Sequence, residues 1–572
     1  MWTNILLSAL TKTDQSVWQK DVSKTRATFL FFLLTISHLS YATSVLKKHT
    51  TEIEINNKTE ICLKNPIKVS FNIQTIFDKN QANFTFLHRW ANAIHMDTRL
   101  LTLENETAFF LKRCNKSIAD IAEMERYLRS RSYLRDAKVV YNKAIEEITV
   151  TTWDNWSLMP TISLGRQGGE NTYSLGIKER NLMGLGINTD IASYQNNQRS
   201  GYKIVSIIPL FQKNNTDIKL RFSRNDDGHQ HAFFIKKSFA GFHIKNAYLL
   251  GFNNELRNDT TFQNDSIQSI FTHKISYKEA NYAWLNLNTE HSVLRYTLGI
   301  TQDQHIFSLL SPAALLDQKV PLIRAQRPQD RNFIYPWAAV EYIEKDFRKL
   351  TNVHLISQVE DFNYGWQMNS RLGLSDGNRD NSAWALWKLQ VKKGIQINNN
   401  SLMLLDLSLE GNIYQEQNNR LLIKLNAEYF YHLNRHWVLY LNNTHIFSEN
   451  QYLDRPVTIG GSGGLRGFPL QYQHGKNSVK LTSEIRYYPQ LNILKLFDLA
   501  GVAFFDIGRA FGGSLVPNSE DNLLTSAGIG LRAYSPHSSG NHPIIHLDLA
   551  FPRSQNSAIN IAEIRVQVKK SF

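Results

Sequence analysis

The chain has 572 residues, 42% hydrophobic and 20% charged, enough apolar material for large cores and without the bias of a disordered or collagen-like chain. Its formal net charge of +14 suits an acidic membrane surface or nucleic acid, but the basic residues are scattered and form no nucleic-acid-binding motif. With 31 Phe, 23 Tyr and 11 Trp the chain is rich in aromatics, yet no segment approaches the ~20 consecutive apolar residues of a spanning helix, so any membrane crossing must use strands.

The N-terminus reads as an export signal. Lys20, Lys24 and Arg26 precede an apolar run from Ala27 to Ile36, and Ser40-Tyr41-Ala42 fits a small-x-small cleavage site, so residues 1–42 are expected to be a signal peptide. Export makes the two cysteines interpretable. Cys62 and Cys114 are candidates for a disulfide that would add roughly 4 kcal/mol in the chain-entropy model, but spacing does not fix their Cα separation and the pairing stays open. Neither has the neighbours of a metal site or a nucleophile.

Residues 43 to about 155 read as small α/β structure. Ile67, Val69, Phe71 and Ile73 alternate as a strand face, Phe84 to Met96 is expected to be a short helix, and Thr98 to Leu103 another strand. Ser117 and Asp120 are spaced for a capping box, with Ile118, Ile121, Met124 and Leu128 on one helical stripe behind them. Leu134 to Tyr141 and Ile148 to Thr152 then read as two strands joined by a turn at Asn142 and Lys143. A sheet of this kind leaves an edge, which either is solvated or accepts an extended peptide.

After Trp153, Trp156 and Pro160 the chain repeats segments of about ten residues with period-two alternation, separated by Asn, Gly, Asp and Ser clusters. Leu405, Leu407 and Leu409 oppose Asp406, Ser408 and Glu410; Ile423, Leu425, Ala427, Tyr429 and Tyr431 oppose Lys424, Asn426 and Glu428. Ile545, Leu547, Leu549 and Phe551 oppose His546 and Asp548, and Ile564, Val566 and Val568 lead to Phe572. An apolar outside with a charged inside inverts the soluble-barrel pattern and predicts a transmembrane antiparallel β-barrel over residues 158–572; a soluble sandwich or solenoid is the competing reading.

The stretch from Gly460 to Phe468 is the most unusual in the chain. Its glycines allow φ > 0 and close approach to another surface, and a confined Arg466 needs a carboxylate partner. Gly460 to Gly464 also satisfies a nucleophile-elbow pattern around Ser462, but the sequence after it is a poor helix start, and no Lys-Ser/Thr follows for a phosphate loop. The eighteen histidines form no H-E-x-x-H, and Asn57 and Asn83 lie in Asn-x-Ser/Thr sites. No catalytic residue, metal or cofactor is expected.

Leu465-Arg466-Gly467-Phe468 resembles the Val/Leu-Arg-Gly-Phe/Tyr motif of the outer-membrane insertase and two-partner-secretion superfamily, also called the bacterial surface antigen family, whose members include BamA, TamA and FhaC. Further segments match in order. Ser483 to Arg486 resembles the strand after the motif loop, Gly501 to Gly508 its Phe-x-Asp-x-Gly strand, and Glu179 to Gly186 the first barrel strands. Glu123 to Leu128 with Tyr133 to Ala137 is similar to the second helix and following strand of a POTRA domain.

The resemblance implies a mainly β protein: a partial N-terminal element over residues 43–95, a POTRA-like periplasmic domain over 96–157, and a surface-antigen-type barrel of about sixteen strands over 158–572, or about 26 residues per strand and connection. It implies that the loop carrying Gly464, Leu465, Gly467 and Phe468 folds into the barrel, with Arg466 paired to Asp506, or to Glu484 as second candidate, as a structural and gating latch. Parity agrees, since Phe504, Asp506 and Gly508 share one face. Phe572 is the implied C-terminal barrel signal. The implied function is an outer-membrane translocase or insertase, with unfolded clients taken by strand addition, membrane lipid around the barrel and accessory assembly proteins as further partners. The family usually carries more than one POTRA domain, whereas this chain has room for one and a partial element, which keeps a passive diffusion pore or a surface antigen as alternatives.

Overall fold

Alternating apolar and polar residues can satisfy every strand's backbone only if the sheet has no edge, and this chain meets that condition by closing the sheet on itself. In the computed structural model the described residues are 68–74, 95–111, 118–142 and 144–569, less 168, 311–326, 377–382, 416, 462–463, 494–496, 515, 536–543 and 558, together with positions 76, 86, 89, 92 and 93. The expected signal peptide, Cys62, Cys114, Ser462 and Phe572 lie outside them, as does most of the expected helix from Phe84 to Met96.

A small α/β module comes first. Its strands are Lys68–Gln74 (β1), Leu134–Asn142 (β2) and Glu147–Asp154 (β3), in the order β1-β3-β2, with β1 parallel and β2 antiparallel to β3. Helices Leu100–Leu111 (α1) and Ile118–Arg129 (α2) cover the sheet and bury Leu103, Phe110, Met124 and Leu128 against Val139, Ile148 and Val150. The expected strand from Thr98 to Leu103 is therefore corrected to a helix start. Thr98 donates its amide and hydroxyl to Asp154, and the Arg99 carbonyl accepts the Thr102 and Leu103 amides, fixing the first turn.

The barrel wall begins with Leu158–Gln167 (β4), Glu170–Leu182 (β5), Ile187–Gln195 (β6), Ser200–Leu210 (β7), Thr216–Asn225 (β8) and Gly228–Lys237 (β9). Longer strands follow: Asn246–Gln263 (β10), Ser266–Asn288 (β11), Ser292–Leu309 (β12) and Arg331–Glu344 (β13). Phe347–Thr351 (β14) and Val359–Asn363 (β15) pair only with each other and stand outside the wall. The wall resumes with Gln367–Leu374 (β16), Ala385–Ile395 (β17), Ser401–Ile413 (β18), Arg420–His432 (β19) and Trp437–Glu449 (β20).

A two-stranded ladder, Val457–Ile459 (β21) with Gln473–Gly475 (β22), sits within the next connection. Then come Asn477–Tyr487 (β23) with its short continuation Asn492–Ile493 (β24), Phe497–Phe511 (β25), Leu524–Tyr534 (β26), Ile544–Arg553 (β27) and Glu563–Lys569 (β28). β23 and β24 pair with successive parts of β25 and occupy one strand position, so the closed barrel has 20 strands.

One expectation is corrected here. The wall holds 20 strands rather than about sixteen, because many connections are minimal: only residues 226–227 join β8 to β9 and 264–265 join β10 to β11. Glu179 to Gly186 forms the end of β5 and the tight turn into β6, within the opening strands of the wall.

Sidedness is strict. Along β27, Ile545, Leu547 and Phe551 face out while Ile544, His546, Asp548 and Ala550 are buried inside. The outer face also carries Leu175, Ile177, Leu298, Ile300, Ile485, Phe505 and Ile529, whereas Asp506, Glu484, Arg486 and Arg532 face the interior. An apolar outer belt on a closed, charge-lined barrel is stable in hydrocarbon and unfavourable in water, so the wall spans a membrane. No described helix is long and apolar enough to do so.

The module docks on the barrel end where β4 begins. Arg99 donates to the Gly184 carbonyl, the Lys213 amide to Asn105, and the Phe242 amide to Glu123, so three hairpin turns hold it.

Candidate functional site

Between β20 and β23 the long connection 450–476 turns inward. Leu465, Phe468 and Tyr472 are completely buried, packed with Ile459 on Ala510 of β25, Leu524 of β26 and Ile559. Glycine is required at two points. Gly467 has φ 86° and any Cβ there would stand 2.8 Å from Pro552; Gly464 has φ 91° and its Cβ would meet the Lys480 ammonium at 2.3 Å. These constraints aim the one side chain between them that is charged.

Arg466, 6% exposed, donates from Nε to Asp506 Oδ2 at 2.6 Å and from Nη2 to Oδ1 at 2.8 Å, a fork on one carboxylate. Its Nη1 reaches Glu484 Oε1 at 3.0 Å, and its guanidinium lies 3.4 Å from the Phe504 ring centroid. Both carboxylate candidates named from the sequence thus contact the same guanidinium. β25 places Phe504 and Asp506 on its inner face, and β23 does the same for Glu484.

The contacts extend beyond the residues named for the latch. Arg486, two positions from Glu484 and so on the same face, donates to Glu484 Oε2 at 2.9 Å and stacks 3.7 Å from the Tyr440 centroid. Its Nη1 continues to the Val353 carbonyl at 3.2 Å. That carbonyl belongs to the tip of the β14–β15 hairpin, which enters from the module end. The motif match from Ser483 to Arg486 contained Arg486 without giving it a role; nothing in the sequence marked Val353. Nearby, Arg532 pairs with Asp548 at 2.7 Å, and the Arg565 guanidinium lies 3.5 Å from the Gly461 carbonyl.

The nucleophile-elbow geometry does not form, since residues 465–472 make successive turns and no helix follows Gly464. One group of side chains has metal-ligand proximity among the described residues, His95, Asp97 and Asp154. The Asp154 carboxylate there already accepts from the Thr98 amide, the Thr98 hydroxyl and His95 Nε2, which makes it the module's cap.

No protein-family model matches the chain, and no curated protein does. Among solved structures it is similar to BamA from Haemophilus ducreyi lacking POTRA domains 1–3, at 12% identity over 88% of this chain and 84% of that one, with a TM-score of 0.38. It is similar to CdiB from Escherichia coli at 11% identity, over 88% and 76% of the two chains, with a TM-score of 0.45. CdiB from Acinetobacter baumannii gives 10% identity, 96% and 99% coverage and a TM-score of 0.40.

Proposed function

We propose that the chain is a protein translocase or insertase of a Gram-negative-type outer membrane, its α/β module acting as a POTRA-like periplasmic domain that receives unfolded clients by strand addition. In this reading Arg466, Asp506 and Glu484 form a latch that holds the Gly460 to Phe468 loop against the inner wall, and the chain acts without catalysis.

The observation that carries the reading is the seam. Among the described residues β28 and β4 share one register pair, Val566 with Arg166, whereas neighbours elsewhere share seven or more, up to eighteen between β10 and β11. A wall with one weak join supplies strand edges to a client; a passive pore has no use for one. Segments entering the barrel from both ends also argue against free diffusion.

Depletion of the protein in its native host, followed by proteomics of the outer-membrane and secreted fractions, tests this. Loss of many barrels indicates an insertase and loss of one or a few exported proteins a dedicated transporter. No change in either fraction refutes the reading in favour of a pore or surface antigen.

A further inference from the structure

The module end of the barrel interior carries an apolar bed of its own. Leu402, Phe430, Val438, Tyr488, Val502 and Ile544 come from separate wall segments to form it. Val353, Leu355 and Ile356 of the β14–β15 tip lie on it, each buried to 8% exposure or less.

The hairpin is built to come away as a unit. Its strands pair with each other and with no wall strand. Its tip is capped internally: Glu360 accepts the amides of Val353, His354 and Leu355, so those groups keep their partners if the hairpin moves. The polar ties from tip to wall are few: Arg486 to the Val353 carbonyl, His354 to Glu428 at 3.3 Å, and Tyr488 to the Asn352 carbonyl at 3.5 Å. At the base the ties are partly exposed ion pairs to α2, Arg129 with Asp361 at 2.8 Å and Lys349 with Glu125 at 3.2 Å, with Arg126 over the Phe347 ring, Phe347 against Phe242, and Arg348 donating to Gln396.

A vacated bed would set many apolar side chains against water, which is unfavourable in proportion to the area exposed. Exchange for another apolar segment is close to neutral, because the incoming side chains cover the same surface that the departing ones leave. We infer that this bed is a receptor for a polypeptide hairpin carrying clustered aliphatic side chains at its tip, and that the β14–β15 hairpin fills it as an internal, displaceable stand-in. The inference rests on the client-handling reading and names the class of segment recognised.

The test uses the full-length protein in detergent and a fluorescent peptide of residues 347–363. A chain carrying Leu355→Ser and Ile356→Ser, whose own hairpin seats poorly, should bind the peptide at least tenfold more tightly than the unsubstituted chain. A second chain carrying His354→Cys and Glu428→Cys, with Cys62 and Cys114 replaced by Ser, should exclude the peptide when oxidised and admit it when reduced. Equal binding by locked and unlocked chains, or none by any unlocked chain, overturns the receptor. The assay needs no client, so peptide binding with an unchanged proteome after depletion would sink the translocase reading and leave the bed standing; the reverse would sink only the bed.

Discussion

Glu484 and Arg486 stand two residues apart on the inner face of β23, and between them they touch both segments that enter the barrel. Glu484 accepts from Arg466 of the 450–476 loop, and Arg486 donates to the Val353 carbonyl of the hairpin tip. Disturbing one segment therefore alters the electrostatic setting of the other.

Arg466→Ala leaves the buried Asp506 carboxylate without its fork and should destabilise the barrel by roughly 3 to 5 kcal/mol, read as a lower denaturant midpoint for loss of the compact heat-modifiable form. Asp506→Asn should act in the same direction, and exchanging the two charges should restore part of the stability. Barrel stability unchanged in all three variants would show that the pair does not hold the loop.

At Gly467, alanine must adopt φ 86° and press on Pro552, so Gly467→Ala should cost more than ~1 kcal/mol. Gly169→Ala is the control. Its φ is 83° but nothing lies within 4 Å, so the backbone penalty acts alone and the midpoint should shift less.

Ile529 sits near the middle of β26 on the outer face, 61% exposed. If hydrocarbon surrounds it, Ile529→Arg should cost about 2 to 4 kcal/mol in lipid vesicles; an exposed position in water would tolerate the change. Equal stability of the two chains in vesicles would contradict a membrane-spanning wall.

The hairpin base responds to pH through Glu125. Burial alone would raise its carboxyl, but Arg129, the Val139 amide and Lys349 outweigh that and hold it below the ordinary glutamate range. A carboxyl lowered by folding contributes stability that is present above the unfolded value and lost as pH falls through the folded one. Protection of α2 and the hairpin against amide exchange should be constant near neutrality and decline below about pH 4.5. Glu125→Gln should flatten that decline.

The architecture was legible where side-chain period decides structure. Alternation at Leu405 to Leu409, Ile423 to Tyr431 and Ile545 to Phe551 located wall strands, because a one-residue slip would turn every charge outward. Strand number was not legible, since it depends on turn lengths that single glycines and asparagines leave open. Thr98 to Leu103 looked like a strand because its helix start is set by a contact with Asp154, more than fifty residues on. The β14–β15 strands are five residues each with no period-two alternation, and their pairing only with each other has no local signal. For the site, motif and parity brought Arg466, Asp506 and Glu484 into one hypothesis, while the link from Arg486 to Val353 joins residues 133 apart and has no local signature.

Twenty strands enclose a wide cross-section, more than side chains of the wall can fill. In the outer membrane proposed for this chain, the loop from one mouth and the hairpin from the other would therefore act as the permeability seal of the envelope. A cell carrying this barrel with either segment displaced would leak small solutes and admit bulky antibiotics, so drug sensitivity becomes a direct report on whether the bore is stoppered.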